Sequence, residues 1–400
     1  MIVAMTGATG FLGSNLLFEI FKQNFTQLDR LKIFALGRAK TADQLGESLE
    51  KLMANDGRKY LGLSQEEYEQ KLQPIVKQCI IPIPADLTQD NLALSLHEFS
   101  NLKQAKIDFF FHVAALTDLR CDRSVEFSCS EINVKGTQRV LDLVSILNLR
   151  EFIYIGTAFS CGMEVGEIQP DSINPNNLFR NPYESSKLKS ELLVRDFFRN
   201  KAMKFRVFRP SVLAGRLIER PIGTTKKFDV FYSIPAFIVK NKYEIVNSLN
   251  KLYSEIVEMP LRVHLNYNSG LNIVPVDYAV KIIYGASCIH SDPSTFYHIA
   301  NLQPIPHIEY GKWMLEAIAV KGCIPSPEEP TNKNSLEKLY YRTVGRVLQP
   351  YMLSEPMDFK TDNLRSLENK LNIECPPINK DNFMKLMDFA KQQYFGLNLT

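Results

Sequence analysis

The sequence predicts an α/β chain: a doubly wound parallel sheet followed by a smaller, mostly helical C-terminal region. Three observations carry this. A glycine-punctuated strand, turn and helix opens the chain. Apolar strand-like runs then alternate with helix-patterned segments as far as residue 211, and beyond that point the alternation stops. Such alternation implies crossover helices on both faces of a parallel sheet, with ligands at the carboxyl ends of its strands. The expected division is a nucleotide-binding part at 1–211, with returning elements near 272–300, and a substrate-binding or cap region at 212–400.

Composition narrows the class. The 400 residues are 45% hydrophobic and 23% charged, ordinary values for a globular protein, and a net charge of +3 is too small to argue for a nucleic-acid partner. The 7 cysteines are scattered singly without a CxxC, which fits reduced thiols in a cytoplasmic protein and offers no metal-site spacing. The apolar run Ile2 to Met5 is too short for a signal peptide. No stretch approaches the ~20 apolar residues of a spanning helix. Oligomeric state is not legible.

Ile2 to Met5 reads as a buried strand, and Phe11 to Phe21 has the apolar spacing of a helix packed on a sheet. Gly7, Gly10 and Gly13 stand in and around the turn between them. Gly7 permits a sharp turn, Gly10 lets backbone N–H groups approach a pyrophosphate, and Gly13 lets helix and strand lie close. The helix N-terminus adds partial positive charge. A second strand, Leu31 to Leu36, ends at Gly37-Arg38. An acidic residue there bonds a ribose 2′-hydroxyl, whereas an arginine accommodates a 2′-phosphate, so Arg38, with Lys40 behind it, points to NADP. The alternative is a solvated basic pair on a loop.

Residues 41 to 73 are helical in pattern and read as an enlarged crossover. The prolines of Ile80 to Pro84 make it an edge strand or a strand end. Asp86-Leu87 follows, where the carboxylate either accepts from an adenine amino group or serves as a turn residue. Ile107 to Val113 is the clearest internal strand. Ala114 and Ala115 after it leave room for a cofactor, and His112 within it reads as a satisfied core histidine. Asn133 to Thr137 opens a helix through Leu147, and Phe152 to Ile155 is a strand ending at Gly156-Thr157.

A helix then starts at Asn181 to Lys187 and runs to about Asn200; Tyr183 and Lys187 share one face at i and i+4. Phe205 to Phe208 is the next strand, closed by Arg209-Pro210-Ser211. A short strand at Asn272 to Val276, a helix at Asp277 to Ile289 and a last strand at Phe296 to Ala300 complete the returning elements. From 307 onward the chain reads as helices, with a proline-rich break at Pro325 to Pro330 and a closing helix near Asp381 to Tyr394.

The chemistry these residues suit is hydride transfer to a carbonyl, which needs a proton donor aimed at the oxygen as negative charge develops. A phenol titrates near ~10 and needs a nearby positive charge to favour its ionised form. Lys187 can supply that charge while bonding the nicotinamide ribose, and Thr157 can add a second hydrogen bond to the substrate oxygen.

The ordered set TGATGFLG, Asp86-Leu87, HVAA, the Asn133 helix, Thr157, YxxxK at 183 to 187 and Arg209-Pro210-Ser211 resembles the extended short-chain dehydrogenase/reductase family over roughly residues 1 to 300. The resemblance implies a Rossmann-type fold, with Thr157, Tyr183 and Lys187 as catalytic triad and Asn133 holding a water in the proton relay. It also implies a cofactor site built from Gly7, Thr9, Gly10, Phe11, Leu12, Gly13, Arg38, Asp86, Leu87, Ala114, Ala115, Tyr183, Lys187 and Pro210. Gly156 departs from the serine usual before the threonine.

Within that family, Ala35 to Lys40 leading into a long helix, and Asn272 to Asp277, look like thioester reductases, including fatty acyl-CoA reductases and terminal reductase domains of peptide synthetases. That likeness implies NADPH-dependent reduction of an acyl thioester, on coenzyme A or an acyl carrier protein, to aldehyde, with further reduction to alcohol left open. Arg216, Arg220, Lys226 and Lys227 are then candidates for pantetheine or coenzyme A phosphates. The rival readings are a dehydrogenase or epimerase acting on a nucleotide-sugar or hydroxysteroid, and a nucleotide-sensing protein without turnover.

Overall fold

Seven strands form one parallel sheet: β1 (Ile2–Thr6), β2 (Lys32–Gly37), β3 (Ile80–Pro84), β4 (Lys106–His112), β5 (Asn148–Ile155), β6 (Lys204–Pro210) and β7 (Phe296–Ile299). The computed structural model describes residues 1–289 and 295–399; residues 290–294 of the returning segment, and Thr400, lie outside the described residues. The spatial order is β7-β6-β5-β4-β1-β2-β3. β2 and β3 step away from β1 on one side and β4 to β7 on the other. That reversal opens a crevice at the carboxyl ends of β1 and β4, the ligand position of a doubly wound Rossmann-type sheet. β3 is the edge strand, where the missing N–H groups of Pro82 and Pro84 are tolerated.

The period of two along each strand feeds two cores. Val3, Met5, Phe109, Phe111, Ile153 and Ile155 pack with Leu16, Phe18 and Phe21 of the first helix (Phe11–Gln23) and Val280 and Ile283 of the helix Val276–Cys288. Their neighbours Ala4, Phe110, Phe152 and Tyr154 pack on the other face with Val140, Leu141, Val144, Val194 and Phe198. A third core gathers residues from Ala158 to Leu399, among them Phe159, Phe231, Leu271, Leu348 and Phe383.

Two elements differ from expectation. The helix expected to open at Asn133 begins at Arg123, capped by Asp122, and passes through a wide turn at Ser130–Lys135 into Gly136–Val144. Asn133 is mid-helix because Asp122 caps the helix well before it, and the Asn133 amide bonds the neighbouring loop instead. The region after 307 is also less helical than its pattern suggests, since Val320–Ser326 is a strand paired in parallel with Val257–His264. Among the described residues, no helix is long and apolar enough to cross a membrane. The seven cysteines are free thiols.

Candidate active site

The turn after β1 is built by close approach. Gly7 has φ +75°, where side chains are strained, and a Cβ on it would lie 2.8 Å from the Ala114 nitrogen. A Cβ on Gly13 would lie 2.0 Å from the Gly7 carbonyl oxygen, so no side chain fits between helix and strand. The first helix starts at Gly10 with no side-chain cap and no acid in its first turn, leaving its N–H groups for an anion. Thr6, which sequence reasoning missed, fixes the facing turn: its Oγ1 accepts from the Val113 and Ala114 amides at 3.1 Å each. His112 is a satisfied core residue, with Nδ1 2.8 Å from Thr6 Oγ1 and Nε2 3.1 Å from Thr137 Oγ1.

Arg38 is exposed just past β2, at the rim of the crevice. Asp86 Oδ1 accepts from the Thr88 backbone at 2.8 Å and its hydroxyl at 2.7 Å, the geometry of a turn residue. These bonds, chiefly the backbone one, hold its carboxyl below the usual range, with Arg38 and Arg139 adding to the effect. Leu87 abuts Gly136, where a Cβ would lie 2.9 Å from the leucine Cβ.

At the other end, Thr157 and Tyr183 meet. The phenol bonds both Thr157 and Thr117, the second unforeseen in the sequence. Burial raises its pKa and the two threonine bonds only partly offset this, so Tyr183 stays protonated at neutral pH. The expectation that Lys187 would favour the phenolate is therefore corrected. The Lys187 ammonium donates to the Ile155 carbonyl at 2.6 Å and sits 4.4 Å above the Tyr154 ring. Burial lowers it to about 7, opposed by Glu191, which is itself paired in the interior with Arg209 at 2.9 Å.

Lys187 thus gains its charge as pH falls through about 7. NADPH should bind more tightly across that window, and Lys187→Met should remove the lysine's share of the pH dependence. Dissociation constants of both proteins on either side of neutrality check this; identical pH profiles contradict it.

The triad and every member of the cofactor set line one cavity of about 570 Å³. Asn133 lies behind its wall: its Oδ1 accepts from the Leu116 amide at 2.8 Å, and its Nδ2 donates to the Leu116 carbonyl at 3.0 Å and to Ser186 Oγ at 2.8 Å. Beyond Tyr183 the cavity is lined by Leu119, Phe159, Val212, Val230, Phe231, Ile234, Leu271, Leu348 and Met352, with His307, Tyr310 and Tyr351. The charged pair Lys227 and Asp229, 3.8 Å apart, also borders it.

Of the four basic residues considered for carrier phosphates, Arg216 is excluded. It is fully buried, bonding Asn15 at 2.7 Å and Asp56 at 2.9 Å between the rings of Phe18 and Tyr60. Arg220, Lys226 and Lys227 are exposed.

Residues 5–283 match the NAD-binding family described as "Male sterility protein". The chain belongs to that family. It is 24% identical to a linear gramicidin synthase chain of Brevibacillus parabrevis over 397 residues, which is 96% of this chain and 7% of that synthase chain. It is also 24% identical to fatty acyl-CoA reductase 2 of Homo sapiens over 381 residues, 86% of this chain and 67% of that protein. The crystal structure of the terminal R domain from the myxalamid PKS-NRPS biosynthetic pathway superposes with a TM-score of 0.71 at 20% identity, covering 98% of this chain and 91% of the domain. That likeness shows a shared fold.

Proposed function

We propose that this protein is an NADPH-dependent reductase of acyl thioesters. The observation that carries the reading is the continuity of one cavity from the glycine turn, past Thr157, Tyr183 and Lys187, into an apolar chamber. A nucleotide-sugar would leave its hydroxyls against Leu119, Val230, Phe231, Ile234 and Met352, whereas an acyl chain is matched by them. Similarity to a fatty acyl-CoA reductase and to a terminal R domain supports the same substrate class.

The residues present fit a dinucleotide, because the Gly7 and Gly13 cradle excludes side chains and the helix behind it is uncapped. When bound, the cofactor supplies hydride to the thioester carbonyl carbon. Thr157 and Tyr183 hold the carbonyl oxygen, and Tyr183 gives its proton to that oxygen as charge develops. The resulting hemithioacetal breaks its C–S bond, releasing thiol and aldehyde; a second reduction of the aldehyde gives alcohol. Lys187 holds the ribose and, when protonated, favours the negative charge left on the Tyr183 oxygen once its proton has passed to the substrate.

The carrier is coenzyme A or an acyl carrier protein, with Arg220, Lys226 and Lys227 as candidates for its phosphates. Residues 1–211, with the returning 272–300 segment, bind cofactor in this reading, and 212–400 bind the acyl group. Seven free thiols fit a cytoplasmic location.

The choice of NADPH over NADH rests on Arg38, whose exposed guanidinium suits bidentate phosphate contact. Arg38→Ala should weaken NADPH about tenfold or more, by the worth of a charge-assisted bond, and leave NADH unchanged. Paired dissociation constants check it; a preserved preference for NADPH contradicts it. The reading as a whole is tested by NADPH oxidation with a series of acyl-CoA thioesters and with nucleotide-sugars. Turnover of thioesters alone is expected, and turnover of sugars alone overturns it.

A further inference from the structure

The helix that presents Tyr183 and Lys187 (Pro182–Phe198) is capped by Asn181, whose Oδ1 accepts from the Glu184 amide at 3.1 Å. Tyr183 is the second residue of this helix, in the first turn, where backbone N–H groups have no partners inside the helix and depend on the cap. Asn181 uses its other end as well. Its Nδ2 donates to the Tyr351 hydroxyl at 2.6 Å, and burial, together with the nearby Glu184 carboxylate, keeps that hydroxyl protonated. Glu184 is fully buried and accepts from the Arg180 backbone at 3.0 Å and from its guanidinium at 3.4 Å. The two ends of an asparagine amide have nearly the same shape. The Glu184 N–H on one side and the Tyr351 oxygen on the other fix the Asn181 amide with its oxygen toward the helix and its Nδ2 toward Tyr351.

Tyr351 comes from a distant part of the chain, the helix Val344–Met352. Its ring lines the cavity and stands edge-on to Phe159 at 5.6 Å, two residues past Thr157. One side chain therefore touches the acyl chamber, Phe159 in the turn just past Thr157, and the cap of the helix carrying Tyr183. We propose that Tyr351 is a positioning residue for the reduction, aligning the Tyr183 phenol through the Asn181 cap. This rests on the reductase reading above.

Tyr351→Phe keeps the ring and removes the hydroxyl. Because a small displacement of a reacting group costs up to about a hundredfold, kcat with a long-chain acyl-CoA should fall roughly ten- to a hundredfold, while KM and NADPH affinity stay within about twofold. Asn181→Ser retains a good cap but cannot reach Tyr351, so it should show the same loss. The double variant should lose no more than either single one. The wild type is assayed first: silence toward every thioester overturns the reductase reading, and this proposal with it. An active wild type accompanied by unchanged kcat in Tyr351→Phe, losses confined to KM, or fully additive losses overturns the positioning role alone.

Discussion

Tyr183→Phe is expected to bind NADPH as the wild type does and to reduce acyl thioesters roughly a hundred- to ten-thousand-fold more slowly, the usual worth of a positioned general acid. The substitution removes one oxygen from a phenol that is held by Thr157 and Thr117 and kept protonated by burial. Neither the glycine cradle nor the Lys187 contact to the Ile155 carbonyl involves that oxygen. The loss should therefore fall on kcat, because the proton passes only as the carbonyl oxygen becomes an anion. Steady-state kinetics with an acyl-CoA and a cofactor titration on the same preparation check this. Full activity in Tyr183→Phe contradicts the assignment.

Gly13→Val should abolish cofactor binding while the bulk of the fold survives. A Cβ at this position would lie 2.0 Å from the Gly7 carbonyl oxygen and 2.7 Å from its carbon, a clash with backbone that no rotamer relieves. The turn must open, displacing the N–H groups at the start of the first helix. Overpacking of a rigid site costs about 3 kcal/mol at the upper end of its usual range, which is more than a hundredfold in affinity. The third core, drawn from residues 158 to 399, makes no use of this turn. Near-native circular dichroism with NADPH binding lost is the expected pair of results. Unchanged binding contradicts the cradle. Gly10→Ala is the milder companion, since its Cβ would stand 3.3 Å from the same oxygen.

The parallel sheet was legible because each strand is a short apolar run bounded by turn residues, and the edge position of β3 was legible from Pro82 and Pro84. The cofactor candidates came together because they occupy strand ends and the N-terminal turns of two helices, which a doubly wound sheet collects at one crevice. Features made by distant contacts were not legible. Val320–Ser326 pairs with Val257–His264 across more than fifty residues, and Gly322, Pro325 and Pro260 disguise both strands as loop. Arg216 looked like a surface cation because its partners, Asn15 and Asp56, lie far back in the chain. Thr117 and Tyr351 carry no motif at all; only folding brings the first to Tyr183 and the second to Asn181. The acidity of Lys187 and of Tyr183 was misjudged for a related reason, since burial dominates both and is invisible in i, i+4 spacing.

The most direct test of thioester reduction follows the transferred atom. The protein is incubated with a long-chain acyl-CoA and NADPH carrying deuterium at the transferable position of the nicotinamide, and products are read by mass spectrometry together with free thiol. The account predicts one deuterium at C1 of an aldehyde, or two at C1 of an alcohol, with one thiol released for each acyl group reduced. Oxidation of NADPH without deuterium at C1, or without release of thiol, would contradict it.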